Sequence, residues 1–396
     1  MSYAQQSIDA GRHIMPDLVR AFAIIGIAVV NVGLFAYAMD LSYFDGGYQT
    51  QSDKGAVFLV YSLFMMKSYT LFSFMFGVGF AYQIQSAKQA EAGFGGRYFR
   101  RIIGLLILGV AHIAYGFQGD ILLLYGLLGA ALFLFRNSSV KKMVVVASIL
   151  IGLQILLGVL VAASVEMGTR FAPDEMAVAG AEVLEKAQRS KEIFGGGGFM
   201  EAVHRRFYEY GAASPIFIYQ GFGVFGYFLL GLAAVKSGLI SNPTAAVWSK
   251  FRRFALPIGV LGSGVGGWFF ISAETFLSPE TMWGMALVGI FAPLSTAGYL
   301  GLIAKWAAAA ASPIKTFMAR GGTATLSAYL LQSLLLSFIF NNYGLGLFGQ
   351  LGAATCIAIA LAVALFTLVF SSLWRKKFKL GPMEALLRGW TYLGAK

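Results

Sequence analysis

Few side chains in this sequence combine reactive chemistry with an apolar setting. His112 and Asp120 stand out, in GVAHIAYGFQGDILLLYG over Gly109–Gly126. An imidazole whose ring is oriented by a carboxylate is a general base near neutral pH. The same residues also have plain structural uses. Asp is a favoured helix N-cap, and a buried His can bridge to a neighbouring helix by a hydrogen bond. Asp17 and Arg20 form a second polar pair, three residues apart and so on one helix face. They are either a helix-start carboxylate with a snorkelling arginine or a polar site for a donor substrate. Asn31 and Gln332 are uncharged polar residues inside apolar runs and need partners there.

The elements that must position these groups are set by composition. Of 396 residues 58% are hydrophobic and 12% charged, too little charge to cover a soluble protein of this length. The expectation is an all-α, polytopic membrane bundle forming a single transmembrane domain over 1–396. Its apolar runs suit helices of about 20 residues and are too long for barrel strands. Ten runs qualify: Leu18–Ala38, Val57–Ile84, Ile102–Phe117, Ile121–Phe135, Val144–Val165, Ser214–Val235, Phe254–Ile271, Thr281–Ile303, Thr325–Phe340 and Leu351–Trp374. The first exceeds a signal-peptide core and reads as a true span. The second is too long for one straight crossing and contains Lys67, so an interfacial helix followed by a span, or one tilted helix, is expected. The third and fourth are joined so closely that they must form an antiparallel hairpin.

Lys and Arg set the orientation. With the N-terminus cytoplasmic, most of the 30 basic residues fall on inner segments, among them Arg97, Arg100 and Arg101. Of the 18 acidic residues only Asp9, Asp17, Glu91 and Glu384 fall there. Both termini are then cytoplasmic, and the net charge of +12 reads as a topology signal rather than a nucleic-acid surface. Arg101 marks the inner boundary, so His112 lies roughly 16 Å in, past the middle of the membrane. The 166–213 segment is expected as an extracytoplasmic helical loop. It comprises an amphipathic helix over Asp174–Phe194, a break at Gly195–Gly198 and a second helix over Met200–Tyr210. It serves as a cap or as a lid over an outer cavity. A cytoplasmic amphipathic helix is expected at 381–393, with Glu384 and Arg388 as an i,i+4 pair. The histidines and the single cysteine, Cys356, suggest no metal site, and Gly77 and Gly79 fit close packing better than a phosphate loop.

Several segments together resemble the YeiB-like family of bacterial membrane proteins. They are Asp17, Arg20 and Asn31 in the opening span, with Ala21 where the family usually has Gly; FSFMFGVGF at Phe72–Phe80; and the His112–Asp120 segment with Gly119 and Tyr125. TLSAYLLQS, YGLGLFG at Tyr343–Gly349 and GPMEALLR at Gly381–Arg388 complete the set. The resemblance implies a multi-pass protein of the bacterial cytoplasmic (inner) membrane. The family is in turn similar to transmembrane acyltransferases of the heparan glucosaminide N-acetyltransferase type. That wider similarity implies transfer of an acyl group from cytoplasmic acyl-CoA, acetyl-CoA for example, to a sugar or lipid-linked acceptor. His112 would then be the base with Asp120 behind it. Asp17, Arg20, Arg97, Arg100 and Arg101 would meet the donor, and Asn31 and Gln332 a developing oxyanion. Acyl-CoA enters as a cosubstrate, with no tightly bound cofactor. The lipid bilayer is the expected partner, a homodimer is left open, and nucleic acid is not expected. A transporter or lipid flippase is the first alternative, and a non-enzymatic scaffold or sensor the second.

Overall fold

A computed structural model describes residues 13–89 and 93–393. No strand occurs among them. Nine helices among these residues are long and apolar enough to cross a membrane, and a shorter apolar helix, Leu122–Phe135, stands where a tenth span was expected. In chain order the helices are α1 Met15–Ala36, α2 Gln51–Leu63, α3 Lys67–Gln89, α4 Phe94–Tyr115 and α5 Leu122–Leu132. Then come α6 Val140–Phe171, α7 Pro173–Gly196, α8 Phe199–Ala212 and α9 Ser214–Lys236. The remainder are α10 Ala246–Ser272, α11 Pro279–Ala308, α12 Pro313–Gly321, α13 Thr325–Phe340, α14 Ala353–Lys377 and α15 Pro382–Thr391.

The long second span resolves into two helices. The helix breaks between Leu63 and Lys67, where Met66 takes a left-handed φ of 64°. The orphaned carbonyls at the end of α2 are taken up by side chains. Lys67 donates to Tyr61 O at 2.9 Å and Tyr299 to Leu63 O at 2.8 Å. The first half, α2, packs against α10 and α14. The fifth expected span is longer than its apolar run. At 32 residues α6 reaches roughly 48 Å, well beyond a hydrocarbon core of about 30 Å. The glycines of α9 seat it there, Gly223 against Gln154 and Gly226 against Ile151 and Ala147 O, while Ile149, Leu156 and Leu160 face outward.

Close backbone contact holds the centre together. A Cβ on Gly77 would lie 1.9 Å from Phe228 O, and one on Gly231 would lie 2.0 Å from Phe74 O. The two glycines are reciprocal, so α3 and α9 touch main chain to main chain. This accounts for FSFMFGVGF as a packing device. Phe72, Phe76 and Phe80 then spread around the contact, with Phe76 stacked on Phe228 at 4.3 Å. The two helices of the 166–213 segment fall where expected, divided near Gly197. They lie across the end of the bundle at which α4 finishes.

Gly77→Ala should lower thermal stability in detergent by about 1–3 kcal/mol, because the methyl must displace backbone. Gly55→Ala, in the open interior of α2 with nothing within 4 Å of the added carbon, should leave it unchanged or raise it slightly. Equal melting shifts for the two variants would contradict the packing described.

Candidate functional site

The hairpin of α4 and α5 brings His112 and Asp120 into contact. His112 Nδ1 and Asp120 Oδ2 are 2.6 Å apart, and both side chains are buried. The second carboxylate oxygen is occupied too: Leu123 N–H donates to Asp120 Oδ1 at 2.8 Å. Asp120 therefore caps α5 and reaches back across the hairpin. Two glycines permit this. A Cβ on Gly109 would sit 2.7 Å from Leu123 N and 3.0 Å from Asp120 Oδ1, so the arms could not close with any larger residue there. A Cβ on Gly116 would press on the imidazole at 2.9 Å. With Nδ1 facing a carboxylate, the proton belongs on Nδ1, and Nε2 is left as the basic nitrogen. Nε2 is buried and has no protein hydrogen-bond partner among the described residues. Tyr329 of α13 covers the ring, with centroids 4.8 Å apart.

A second feature lies toward the opposite end of α4. A cavity of about 370 Å³ opens among α1, α3, α4, α13 and α15, with Arg20, Arg101 and Arg388 in its walls. Phe72, Phe76, Leu122 and Tyr125 form an apolar and aromatic part of its wall. Leu122 follows Asp120 by two residues and belongs with Tyr329 to one apolar cluster, against which Leu108 and Leu326 pack. From the cavity wall at Leu105 to His112 is seven residues of helix, about 10 Å. A thin apolar partition thus separates the arginine-lined cavity from the buried imidazole.

The residues singled out from sequence divide between two uses. Arg20 and Arg101 meet in the cavity. Asp17 sits behind Arg20, its Oδ1 accepting from the guanidinium at 3.1 Å. Arg97 and Arg100 do not line the cavity but hold the C-terminal helix. Arg97 lies over the Tyr392 ring at 5.3 Å. Arg100 donates to Thr391 O at 3.1 Å, and its own carbonyl accepts from Trp390 Nε1 at 2.8 Å. Gln332 joins three helices, donating to Ile24 O at 3.2 Å and Thr367 Oγ1 at 3.0 Å. Asn31 is half-buried on α1 and is not among the hydrogen-bond partners of the His112–Asp120 pair.

The expected Glu384–Arg388 pair is replaced by a longer-range arrangement. Glu384 caps α13, accepting from Leu326 N at 2.8 Å, Ser327 N at 3.3 Å and Ser327 Oγ at 2.5 Å. The negative charge meets the positive end of a membrane helix, which is worth more than an exposed i,i+4 pair. Arg388 is left facing the cavity, over the Tyr392 ring at 5.4 Å.

Arg206 of α8 was not flagged by sequence reasoning. It is 1% exposed, and Nη1 donates to Ala114 O, at the end of α4, at 3.0 Å. Nη2 donates to Ser337 Oγ at 2.9 Å and Tyr343 OH at 2.6 Å. This one side chain ties the cap to α4 and α13 just beyond His112. Beside it Arg205 donates to Glu209 Oε1 at 2.9 Å. Burial raises the Glu209 carboxyl above its ordinary range, opposed by Ser190 and Arg205. The sequence signal was a basic doublet in HRRFYEYG, but such doublets are usually solvated.

Fold and site together define the class: a multi-pass helical membrane protein with a buried His–Asp pair above an arginine-lined cavity. The chain is similar over nearly its whole length to two bacterial proteins. It is 27% identical over 399 residues to the uncharacterized protein YeiB of Escherichia coli (strain K12), covering 97% of both chains. It is 29% identical over 413 residues to the uncharacterized protein YxaH of Bacillus subtilis (strain 168), covering 99% of this chain and 97% of the relative. A family model described as "Protein of unknown function (DUF418)" matches residues 234–394. That portion supplies Tyr329, Glu384 and Arg388, whereas the His112 hairpin lies in the part reached by the full-length matches. No solved structure matches the chain.

Breaking the buried pair by Asp120→Ala should cost about 3–5 kcal/mol of stability. His112→Ala combined with Asp120→Ala should cost less than the two single changes added, with a coupling of about 0.5–3 kcal/mol in chemical denaturation. Strict additivity would contradict the contact. Arg206→Met should undock the cap, seen as faster limited proteolysis around Gly195–Gly198. Unchanged cleavage there would count against Arg206 as the tie.

Proposed function

We propose that the protein is a transmembrane acyltransferase, taking an acyl group from cytoplasmic acyl-CoA to a hydroxyl or amine of an extracytoplasmic or lipid-linked acceptor. The observation that carries this reading is His112. Its Nδ1 is held by Asp120, its Nε2 is unengaged by protein among the described residues, and it lies about two turns beyond an arginine-lined cavity. In this reading the cavity end of the bundle is cytoplasmic, in keeping with the distribution of Lys and Arg, and the α7–α8 cap is outside.

Arg20, Arg101 and Arg388 would bind the phosphates of the donor through charge-assisted hydrogen bonds. The thioester would enter along the apolar part of the wall, toward Leu122 and Tyr329. As the acceptor attacks the carbonyl carbon, its proton passes to His112 Nε2, and Asp120 stabilises the imidazolium. The carbon–sulfur bond breaks, and the imidazolium returns the proton to the leaving thiolate. Gln332 takes no part in this scheme, since its amide N–H groups are committed to Ile24 and Thr367. Side-chain motion of Leu122 or Tyr329 must open the partition.

The test uses purified protein in proteoliposomes with radiolabelled acetyl-CoA and a mixed amine and hydroxyl acceptor pool. Thiol release and label transfer are expected, falling about 10²–10⁴-fold in His112→Ala. Arg388→Met should raise KM for the donor about tenfold with little change in kcat. Absence of both transfer and calorimetric CoA binding would overturn the proposal. His112-dependent solute uptake in the same vesicles would favour the transporter alternative.

A further inference from the structure

The break between α2 and α3 borders a second cavity, of about 450 Å³, on the other side of the α1–α3 contact. Its walls are almost wholly apolar and aromatic: Phe22, Phe64, Leu71, Tyr299 and Trp306. It opens on the flank of the bundle, where Phe22 is 42% and Leu302 40% exposed. In a membrane-spanning chain that flank faces lipid. Its depth is fixed by Gly26, near the middle of α1, whose missing Cβ makes room for Ser68 Oγ.

Lys67 stands in this wall, 1% exposed. Part of its role is structural, because its donation to Tyr61 O caps α2 at the negative end of that helix. That role needs one donor, and an ammonium has three. The neighbouring carbonyls are already served, Leu63 O by the Tyr299 hydroxyl and Phe64 O by Ser68 Oγ. Among the described residues no carboxylate accompanies Lys67. A lysine buried within a membrane-spanning bundle is costly, whereas a hydroxyl would cap the helix without that cost.

We infer that this slot binds a membrane-soluble quinone-type molecule, a flat apolar ring whose carbonyl oxygen accepts a hydrogen bond from Lys67. The chemistry of the slot selects this class. The entrance faces hydrocarbon, so the ligand must dissolve in the bilayer, which disfavours anions. The walls offer ring faces, with Phe22 and Trp306 edge to face at 5.8 Å, and these suit a planar ring. Of the polar side chains in the wall, the Ser68 and Tyr299 hydroxyls already donate to Phe64 O and Leu63 O, and Lys67 can only donate, so the ligand must bring it an acceptor. The volume lies within the range of small-molecule sites, about 300–1,000 Å³, and an isoprenoid or alkyl tail can trail into lipid through the opening. The inference concerns binding and is independent of acyl transfer.

The full-length protein in phosphatidylcholine nanodiscs is irradiated with an azido derivative of decylubiquinone, and labelled peptides are mapped by mass spectrometry. Label is expected on peptides carrying Phe22, Lys67–Leu71 and Tyr299–Trp306, and unlabelled decylubiquinone should compete for it. Lys67→Met should reduce this labelling at least about tenfold, equivalent to one lost hydrogen bond in an apolar site. Leu302→Trp fills the slot without touching the cap on Tyr61, so it should block labelling in a protein that folds normally. It decides the matter alone if Lys67→Met does not fold. Label spread over all lipid-facing helices, undiminished label in Leu302→Trp, or equal labelling by an azido-decylbenzene without carbonyls would overturn the inference.

Discussion

A carboxylate removed from water and lipid alike must have its oxygens engaged, and Asp120, at 0% exposure, sets that constraint for the centre of this molecule. One oxygen takes the Leu123 N–H in the first turn of α5 and the other takes His112. Much of the neighbouring architecture follows from making those two bonds at once. The turn must be short, the arms of the hairpin must approach at Gly109, and the ring must lie over Gly116. Tyr329 must then close the remaining side. The imidazole that results is rigid on one nitrogen and available on the other. That combination suits a base and is more than a simple helix bridge requires.

The same logic of satisfied ends recurs wherever a helix stops inside the bundle. α2 ends on Lys67 and Tyr299, α4 ends on Arg206, and α13 begins on Glu384. Each partner comes from a different element, so each cap is also a tie between elements. The C-terminal helix shows the consequence. Glu384 plugs it onto α13, Leu387 and Trp390 fill the groove left by Gly104, and Arg100 closes the end. A short amphipathic helix thereby becomes a wall of the arginine-lined cavity rather than a loose interfacial anchor. Three arginines stand in its walls together with Glu384, Gln83 and several threonines, beside the apolar residues of α3 and α5.

Helix-to-helix distance depends on glycine more than on side-chain volume. At Gly77 and Gly231 the main chains of α3 and α9 are in contact, and Gly266 and Gly284 do the same between α10 and α11. In lipid, where no hydrophobic force drives apolar helices together, such contacts give the dispersion energy its short range. They also fix the position of Phe76 and Tyr125, which form part of the cavity's apolar and aromatic wall.

The sequence by itself determined the properties that depend on neighbours along the chain. Length and hydropathy of the runs set the spans, because crossing a hydrocarbon layer is a local requirement. The few residues between Tyr115 and Leu122 dictated an antiparallel hairpin and so brought His112 near Asp120. The glycines at Gly195–Gly198 marked the division of the cap. Tertiary structure decided which polar groups meet. Arg20, Arg101 and Arg388 come together only because α1, α4 and α15 are neighbours, whereas Arg97 and Arg100, equally basic and equally placed along α4, are turned to α15. Glu384 chose a helix end 57 residues away over an arginine one turn away, and Arg206 chose a carbonyl 92 residues away. Hydrophobic periodicity carries no record of such choices. The strength of a buried polar contact depends on the partner's direction and on exclusion of water, and both are settled only when the helices have packed.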